Sequence, residues 1–237
     1  MTTKPWLEIL QAHLQYWGRL GQSSISLVND THVADRLLDQ LGAYGAGLDN
    51  LWLTVSPQNL AGSSLTMTFL EGYATLQLSP LGVELSFRGP GDGHPNVPLI
   101  LPQDVLSDIL TKVGATIGSV TKQPHCSTHT FTLSFHARLH GEVVVEFLDH
   151  YVRAAPEAFG ELERAGVRYV FKPAGARSSS WLVAEPSTSI KPNGLYVNCS
   201  VELDGAQVST EKAADSAREY LRSIVESPDC PVRIGNE

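Results

Sequence analysis

Three residues near the middle of the chain have the side chains and spacing of an incomplete metal site. His125, Cys126 and His129 lie within five residues of one another, and imidazole nitrogens and thiolates are ligands that zinc prefers. A structural zinc ion takes four ligands, commonly as two closely spaced pairs, and the sequence offers no second pair. We therefore treat His125, Cys126 and His129 as a candidate metal site, with metal-free histidines of a loop and a sheet as the alternative.

The segment that follows alternates apolar and polar side chains with the period of a β-strand, from Thr128 to His140. This period places His129 on the apolar face and puts His136 and His140 on the polar face. The two polar-face histidines lie about 13 Å apart along a strand, too far to share one ion. Protein interfaces are depleted in charge in the way that this face is. We predict that it forms a candidate interaction surface of Thr130, Thr132, Ser134, His136, Arg138 and His140.

Catalytic and cofactor-binding motifs are absent from the sequence. There is no nucleophile elbow of the G-x-S-x-G type, no phosphate-binding loop and no dinucleotide fingerprint. Asp149 and His150 are adjacent on a predicted helix, so their side chains diverge and do not form an orienting pair. His136 or His140 would act as a general base only beside a carboxylate such as Glu202. We expect no cofactor and assign no catalytic residue.

In the first half of the chain, the apolar spacing of Trp6, Ile9, Leu10, Leu14 and Trp17 predicts a helix over residues 4–17. The pattern then predicts a short strand at 23–28, a helix capped within residues 29–31, strands at 51–55, 65–69, 74–78 and 83–88, and a helix that begins at Pro102.

The second half repeats this order. We predict a strand at 128–140, a helix from about Glu142 to Ala165, strands at 167–172, 181–185 and 194–204, and a final helix from Ser209. Residues 20–118 and 128–227 thus each read as strand, helix, three or four strands, helix. This order resembles the duplicated helix-grip architecture of the TATA-box-binding protein, a likeness of element order that carries no function.

The resemblance implies an α+β fold in which an antiparallel sheet has helices packed on one face. The halves would be residues 1–118 and 119–237, two similar β-α-β(3-4)-α units that form one compact, pseudo-duplicated structure.

Composition limits the classes of partner. The chain has 237 residues and a net charge of −8, with only 17 basic residues, which are scattered. This balance disfavours nucleic acid and anionic membrane surfaces, because both attract clustered Lys and Arg. No stretch approaches the length of a membrane span, and three cysteines without tight spacing suit a reducing compartment. We expect a cytoplasmic protein.

Together these observations favour a non-catalytic protein-interaction or assembly module that forms a homo-oligomer. One alternative is a small-molecule-binding protein with an apolar cavity between the sheet and the helix at 142–165. Another is a metal-dependent hydrolase centred on His125, Cys126, His129, His136 and Glu202.

Overall fold

The structure is a computed structural model that describes residues 6–56, 58–59, 62–91, 94, 96–121, 126–149, 166–171, 175 and 177–225. Its elements, in chain order, are β1 (Trp6–Arg19), α1 (Ser26–Asn29), α2 (Thr31–Leu41), β2 (Leu51–Thr54), β3 (Ser64–Phe69), β4 (Ala74–Ser79), β5 (Gly82–Arg88), α3 (Gln103–Val120), β6 (Thr128–His140), α4 (Val144–Asp149), β7 (Val167–Phe171), β8 (Arg177–Pro186), β9 (Gly194–Asp204) and α5 (Thr210–Val225). Two 3₁₀ turns, at Gly42–Tyr44 and Leu48–Asn50, connect α2 to β2.

All nine described strands belong to one antiparallel sheet in the order β2-β3-β4-β5-β1-β6-β9-β8-β7. The long strands β1 and β6 pair with each other along their whole lengths at the centre. The order is symmetric about this pair, because β5 and β9 flank it, then β4 and β8, then β3 and β7. Among the described strands, β2 has no counterpart in the second half.

The hydrophobic core lies on one face of the sheet only. Alternate side chains of the strands pack there against α1, α2, α3 and α5 in a large cluster, and against α4 in a smaller one. Amphipathic helices bury their apolar stripes in this way because the sheet offers one apolar face. The predicted fold class, an antiparallel α+β sheet with helices on one face, is confirmed.

The helix predicted for residues 4–17 is wrong, because the described part of this segment, from Trp6 on, belongs to β1. Its register against β6 shifts between Ile9 and Gln11, so Leu10 is a bulge residue. A bulge inserts one residue and reverses the alternation beyond it. Apolar side chains on either side of the bulge therefore fall at mixed spacings that imitate a helical stripe.

The strand predicted at 23–28 is also wrong. Residues Ser26–Asn29 form α1 instead, closed by the hydrogen bond from the Asn29 N–H to the Ile25 carbonyl. The adjacent side chains of Leu27 and Val28 are both buried. Both belong to one core cluster, which fits a helix better than a strand, because adjacent side chains of a strand point to opposite faces of the sheet.

The other predicted elements agree with the structure to within a few residues. The helix α2 begins after Asp30, whose carboxylate accepts a hydrogen bond from the His32 N–H. The bounds predicted for the strand at 128–140 are those of β6. Of the helix predicted at 142–165, the structure describes α4, and residues 150–165 lie outside the described part of the chain.

Candidate functional site

The face of the sheet opposite the helices, which we call the open face, carries no described helix. At its centre β1 presents Glu8, Gln11, His13, Gln15 and Trp17 to this side. The register pairs these positions with the predicted interaction surface on β6. That surface, Thr130, Thr132, Ser134, His136, Arg138 and His140, lies on the open face, and all six residues are at least partly exposed. Whether it binds a partner stays a prediction.

All four tryptophans of the chain occupy open-face positions, namely Trp6, Trp17, Trp52 and Trp181. Trp6, Trp17 and Trp52 are exposed by 45%, 44% and 50%. The Arg19 guanidinium lies 4.8 Å from the Trp17 ring centroid. Exposed tryptophan on one side of a sheet contrasts with its usual burial in cores.

A hollow of about 450 Å³ lies at the middle of the open face. It is lined by Gln11, Ala12, His13, Arg88, Gly89, Gly91, Ser134, His136 and Tyr196. The loop after β5 forms one rim, where the Gly89 N–H donates to the Ala12 carbonyl. Gly89 lies against the backbone carbonyl of Leu99 and leaves no room there for a side chain.

On one side of the hollow, His136 is held by the hydroxyl of Ser187. The Ser187 Oγ accepts hydrogen bonds from the N–H groups of Ser189 and Ile190, and lies 2.8 Å from the His136 Nδ1. The hydroxyl proton is therefore directed to Nδ1, which makes Nε2 the protonated nitrogen of the neutral ring. The Tyr196 ring lies beside this imidazole, with centroids 4.8 Å apart. Burial lowers the pKa of His136.

On the other side, the His13 Nε2 lies 2.8 Å from the hydroxyl of Ser86. Burial, and then the charge of Arg88, lower the pKa of His13. Among the described residues, Arg88 has no carboxylate within salt-bridge distance. With both histidines neutral, Arg88 gives the hollow a positive charge at pH 7 that no carboxylate of the described residues pairs.

The pair formed by Ser86 and His13 is poorly suited to nucleophilic catalysis. A general base next to a serine is normally oriented and stabilised by a carboxylate. In the part of the chain that the structure describes, the carboxylate hydrogen bonds to histidine involve Glu8 and Glu71, and neither involves His13. Arg88 in addition disfavours the imidazolium that a base forms.

At the far end of the open face, charges are paired. The Glu8 carboxylate lies 3.0 Å from the His140 Nε2 and 3.8 Å from the Arg138 guanidinium. The Trp6 ring stacks on His140 with centroids 4.1 Å apart. This cluster fixes two residues of the predicted surface in a defined geometry.

The proposed metal ligands divide between described and undescribed parts of the chain. His129 is fully buried on the covered face: the Tyr16 hydroxyl lies 2.9 Å from its Nδ1 and the Val208 carbonyl 3.0 Å from its Nε2. Cys126 is buried nearby, which raises the pKa of its thiol. His125 lies outside the described residues. No group of three metal-ligating side chains occurs within the described part of the chain, and the metal site stays a prediction.

Tyr16, Cys126 and His129 form a polar group on the covered face that is tightly enclosed by the core. Burial raises the pKa of the Tyr16 phenol well above its usual range, and the neighbouring Cys126 adds to this. A Cβ on Gly18 would lie 2.5 Å from the Tyr16 hydroxyl and 2.8 Å from the Cys126 Sγ. A side chain at this position would therefore displace the Tyr16 hydroxyl or the Cys126 thiol. We interpret the group as a structural part of the core.

Sequence reasoning did not associate His13 and Trp17 with a site. Both residues lie in β1, which was expected to be a helix. The alternation of Gln11, His13, Gln15 and Trp17 would have placed them on one strand face had a bulge been allowed before Gln11.

No model of a known protein family matches the chain, and no curated protein matches it. Among solved structures, a match is found to the regulatory subunit of aspartate kinase from Thermus flavus. Identity is 10% over 92% of this chain and 98% of that chain, with a TM-score of 0.19. A score this low carries no argument about function. None of the described helices is both long and apolar enough to cross a membrane.

Proposed function

We propose that the protein is a non-catalytic protein-interaction module that binds its partner across the open face, centred on β1 and β6. The observation that carries the proposal is the placement of every tryptophan of the chain on that face, three of them close to half exposed. Tryptophan, tyrosine and arginine are the residues most enriched among those that dominate binding energy at protein interfaces.

The charge distribution favours a protein over nucleic acid as the partner. Open-face strand positions carry four arginines and four glutamates: Arg19, Arg88, Arg138 and Arg168, with Glu8, Glu84, Glu185 and Glu202. A further acid, Asp204, uses its carboxylate to cap the turn after β9. Nucleic-acid binding requires a surplus of basic residues. A face with balanced charges and exposed aromatic rings suits a protein surface.

The hollow gives the interaction its specificity. Arg88, which has no carboxylate partner in the described part of the chain, supplies a cation beside the polar groups of Gln11, Ser134 and Tyr196. Arginine binds carboxylates through two parallel hydrogen bonds. The partner therefore inserts an acidic side chain into the hollow, while its apolar surface covers Trp17.

The test is site-specific photo-crosslinking in the cells that express the protein. A photoreactive residue at Gln15 on the open face is compared with one at Arg36, which is exposed on α2 on the opposite side of the molecule. We expect one defined protein adduct from position 15 and none from position 36. Equal crosslinking from both positions would overturn the proposal.

Affinity for the partner identified in this way provides the quantitative test. Trp17→Ala and Arg88→Ala should each raise the Kd by about tenfold or more, as for residues at the centre of an interface. Arg36→Ala is the matched control, since it also removes one exposed arginine, and it should leave the Kd unchanged. An unchanged Kd for both open-face variants contradicts the proposal.

A second candidate function is supported by the size of the hollow. Its volume of about 450 Å³ lies in the range of small-molecule sites, about 300–1,000 Å³. A small carboxylate ligand would then bind Arg88 directly. Isothermal titration with a panel of mono- and dicarboxylates decides this, and binding that is lost in Arg88→Ala would favour it. The apolar cavity against the helix at 142–165 remains an alternative that involves residues outside the described part of the chain.

A further inference from the structure

The strand β2 (Leu51–Thr54) is one of the two edges of the sheet. Among the described residues, its ladder hydrogen bonds are to β3 alone. An open edge presents unpaired N–H and C=O groups to any strand that approaches it, and proteins commonly protect such edges with Lys, Pro or a bulge. The segment from Leu51 to Ser56 has none of these and no charged residue.

Both sides of this edge expose large apolar side chains. Leu53 lies on the helix-covered side of the sheet, opposite Leu65 in the register, yet Leu53 is 55% exposed whereas Leu65 is 5% exposed. Val55, two residues further on, is 55% exposed, and Trp52 is exposed on the open face. The core under the helices therefore includes Leu51 at the start of β2 but leaves Leu53 and Val55 uncovered.

The segment is complementary to itself when paired antiparallel about Leu53. In that register, Leu53 lies opposite Leu53 of the second copy, and Leu51 lies opposite Val55 of the second copy. Opposed residues of an antiparallel pair point to the same side of the sheet. All six of these side chains are apolar, and Trp52 would lie opposite Thr54 on the other side.

We propose that two copies of this chain form a dimer by antiparallel pairing of their β2 strands about a two-fold axis at Leu53. The pairing extends one sheet through both copies and covers the apolar side chains that the helices leave exposed. Each chain carries a net charge of −8, so two copies repel one another in general. The uncharged segment is where close approach of like-charged chains is least costly.

The opposite edge does not offer the same complementarity. The strand β7 carries Arg168 next to its central residue, and this side chain is exposed. Pairing two copies of β7 would bring two guanidinium groups near each other on the open face, where like charges destabilise strand pairs. The β7 edge therefore carries a charge that opposes self-pairing, whereas the β2 edge carries none.

This dimer goes beyond the proposed open-face interaction and is independent of it. Pairing at an edge extends the sheet in its own plane and leaves the hollow accessible. Failure of one proposal is thus distinguishable from failure of the other, because Trp17→Ala should weaken partner binding without affecting the dimer.

Sedimentation velocity over a concentration series of the full chain tests the dimer. A short edge strand buries an interface at the low end of specific ones, so we expect a Kd of about 10 μM. Leu53→Lys places two like charges on the axis and should weaken the dimer about tenfold or more. The matched control is Val170→Lys on β7, an exposed valine at the other edge, which should leave the Kd unchanged. Circular dichroism and thermal melting verify that both variants fold.

A disulfide test determines the register. In a Cys230→Ser background, the two remaining native cysteines, Cys126 and Cys199, are buried. Leu53→Cys should form a disulfide between two copies on mild oxidation, because directly opposed residues have Cβ atoms close enough to bridge. Thr54→Cys should not, because its opposite residue is Trp52. The proposal is overturned if the protein has the mass of a single chain at all concentrations up to about 100 μM. It is also overturned if Val170→Lys weakens the dimer as much as Leu53→Lys does, or if both cysteine variants crosslink equally.

Discussion

The two faces of the sheet are built from the same strands but differ in what their side chains do. On β1, Tyr16 is fully buried on the covered face, and its neighbour Trp17 is 44% exposed on the open face. On β5, Phe87 is buried and its neighbour Arg88 is exposed. The two residues of each pair lie on different faces because successive side chains of a pleated strand point to opposite sides of the sheet.

One face of this sheet therefore provides the core, while the other is available for the interaction that we propose. The covered face contains the apolar side chains of the core and one enclosed polar group. The open face has polar side chains, paired charges and exposed tryptophans that no described helix covers. Exposed tryptophan contributes little to folding, so its concentration on one face supports the proposed contact with another molecule.

The largest expected effect comes from the covered face of β5. Phe87→Ala removes a buried ring and should lower the free energy of unfolding by about 3–5 kcal/mol, through lost burial and the cavity left behind. Arg88→Ala, one residue away on the open face, should change it by about 0.5 kcal/mol or less. Chemical denaturation of both variants measures the difference. Similar losses in the two variants would show that the open face also belongs to the core.

The central strands show which part of this division could be predicted from sequence. In β6 the alternation is unbroken from Thr128 to His140, so both faces could be assigned, including the buried position of His129. In β1 the bulge at Leu10 reverses the alternation. The segment as a whole then has neither a strict period of two nor a strict helical period, and its strand faces can be assigned only if a single-residue insertion before Gln11 is allowed.

The candidate site was only partly predictable for the same reason. Residues of β6 on the open face were identified, since their side chains share one regular strand. The hollow, however, combines His13 from β1, Arg88 from β5 and Tyr196 from β9 with His136 from β6. Their proximity depends on the order and register of four strands, which arise from long-range pairing.

A smaller effect is expected from the buried polar group. Tyr16→Phe removes a fully buried hydroxyl hydrogen bond to the Nδ1 of His129 and should cost about 1–3 kcal/mol in unfolding free energy. Trp17→Phe, the adjacent residue on the open face, should cost about 0.5 kcal/mol or less. Thermal or urea unfolding followed by circular dichroism makes the comparison. Equal stability of Tyr16→Phe and the wild type would show that this hydrogen bond contributes nothing net.

The smallest effect concerns pH and the two histidines of the open face. The pKa values of His13 and His136 are lowered from the ordinary value of 6.5, mainly by burial. The folded state therefore binds fewer protons than the unfolded state below pH 6.5. Their contribution to stability is complete above pH 6.5 and is lost as the pH falls through the lowered folded-state values.

The comparison of wild type with the double variant His13→Gln/His136→Gln isolates this contribution. Urea unfolding is measured from neutral pH to mildly acidic pH. We expect the wild type to lose more stability on acidification than the double variant, because only the wild type takes up protons at these two positions on unfolding. Identical pH dependence in the two proteins would contradict the lowered pKa values. It would mean that the open face around the hollow is as hydrated as an unfolded chain. The difference in hydration between the two faces would then be larger than the structure indicates.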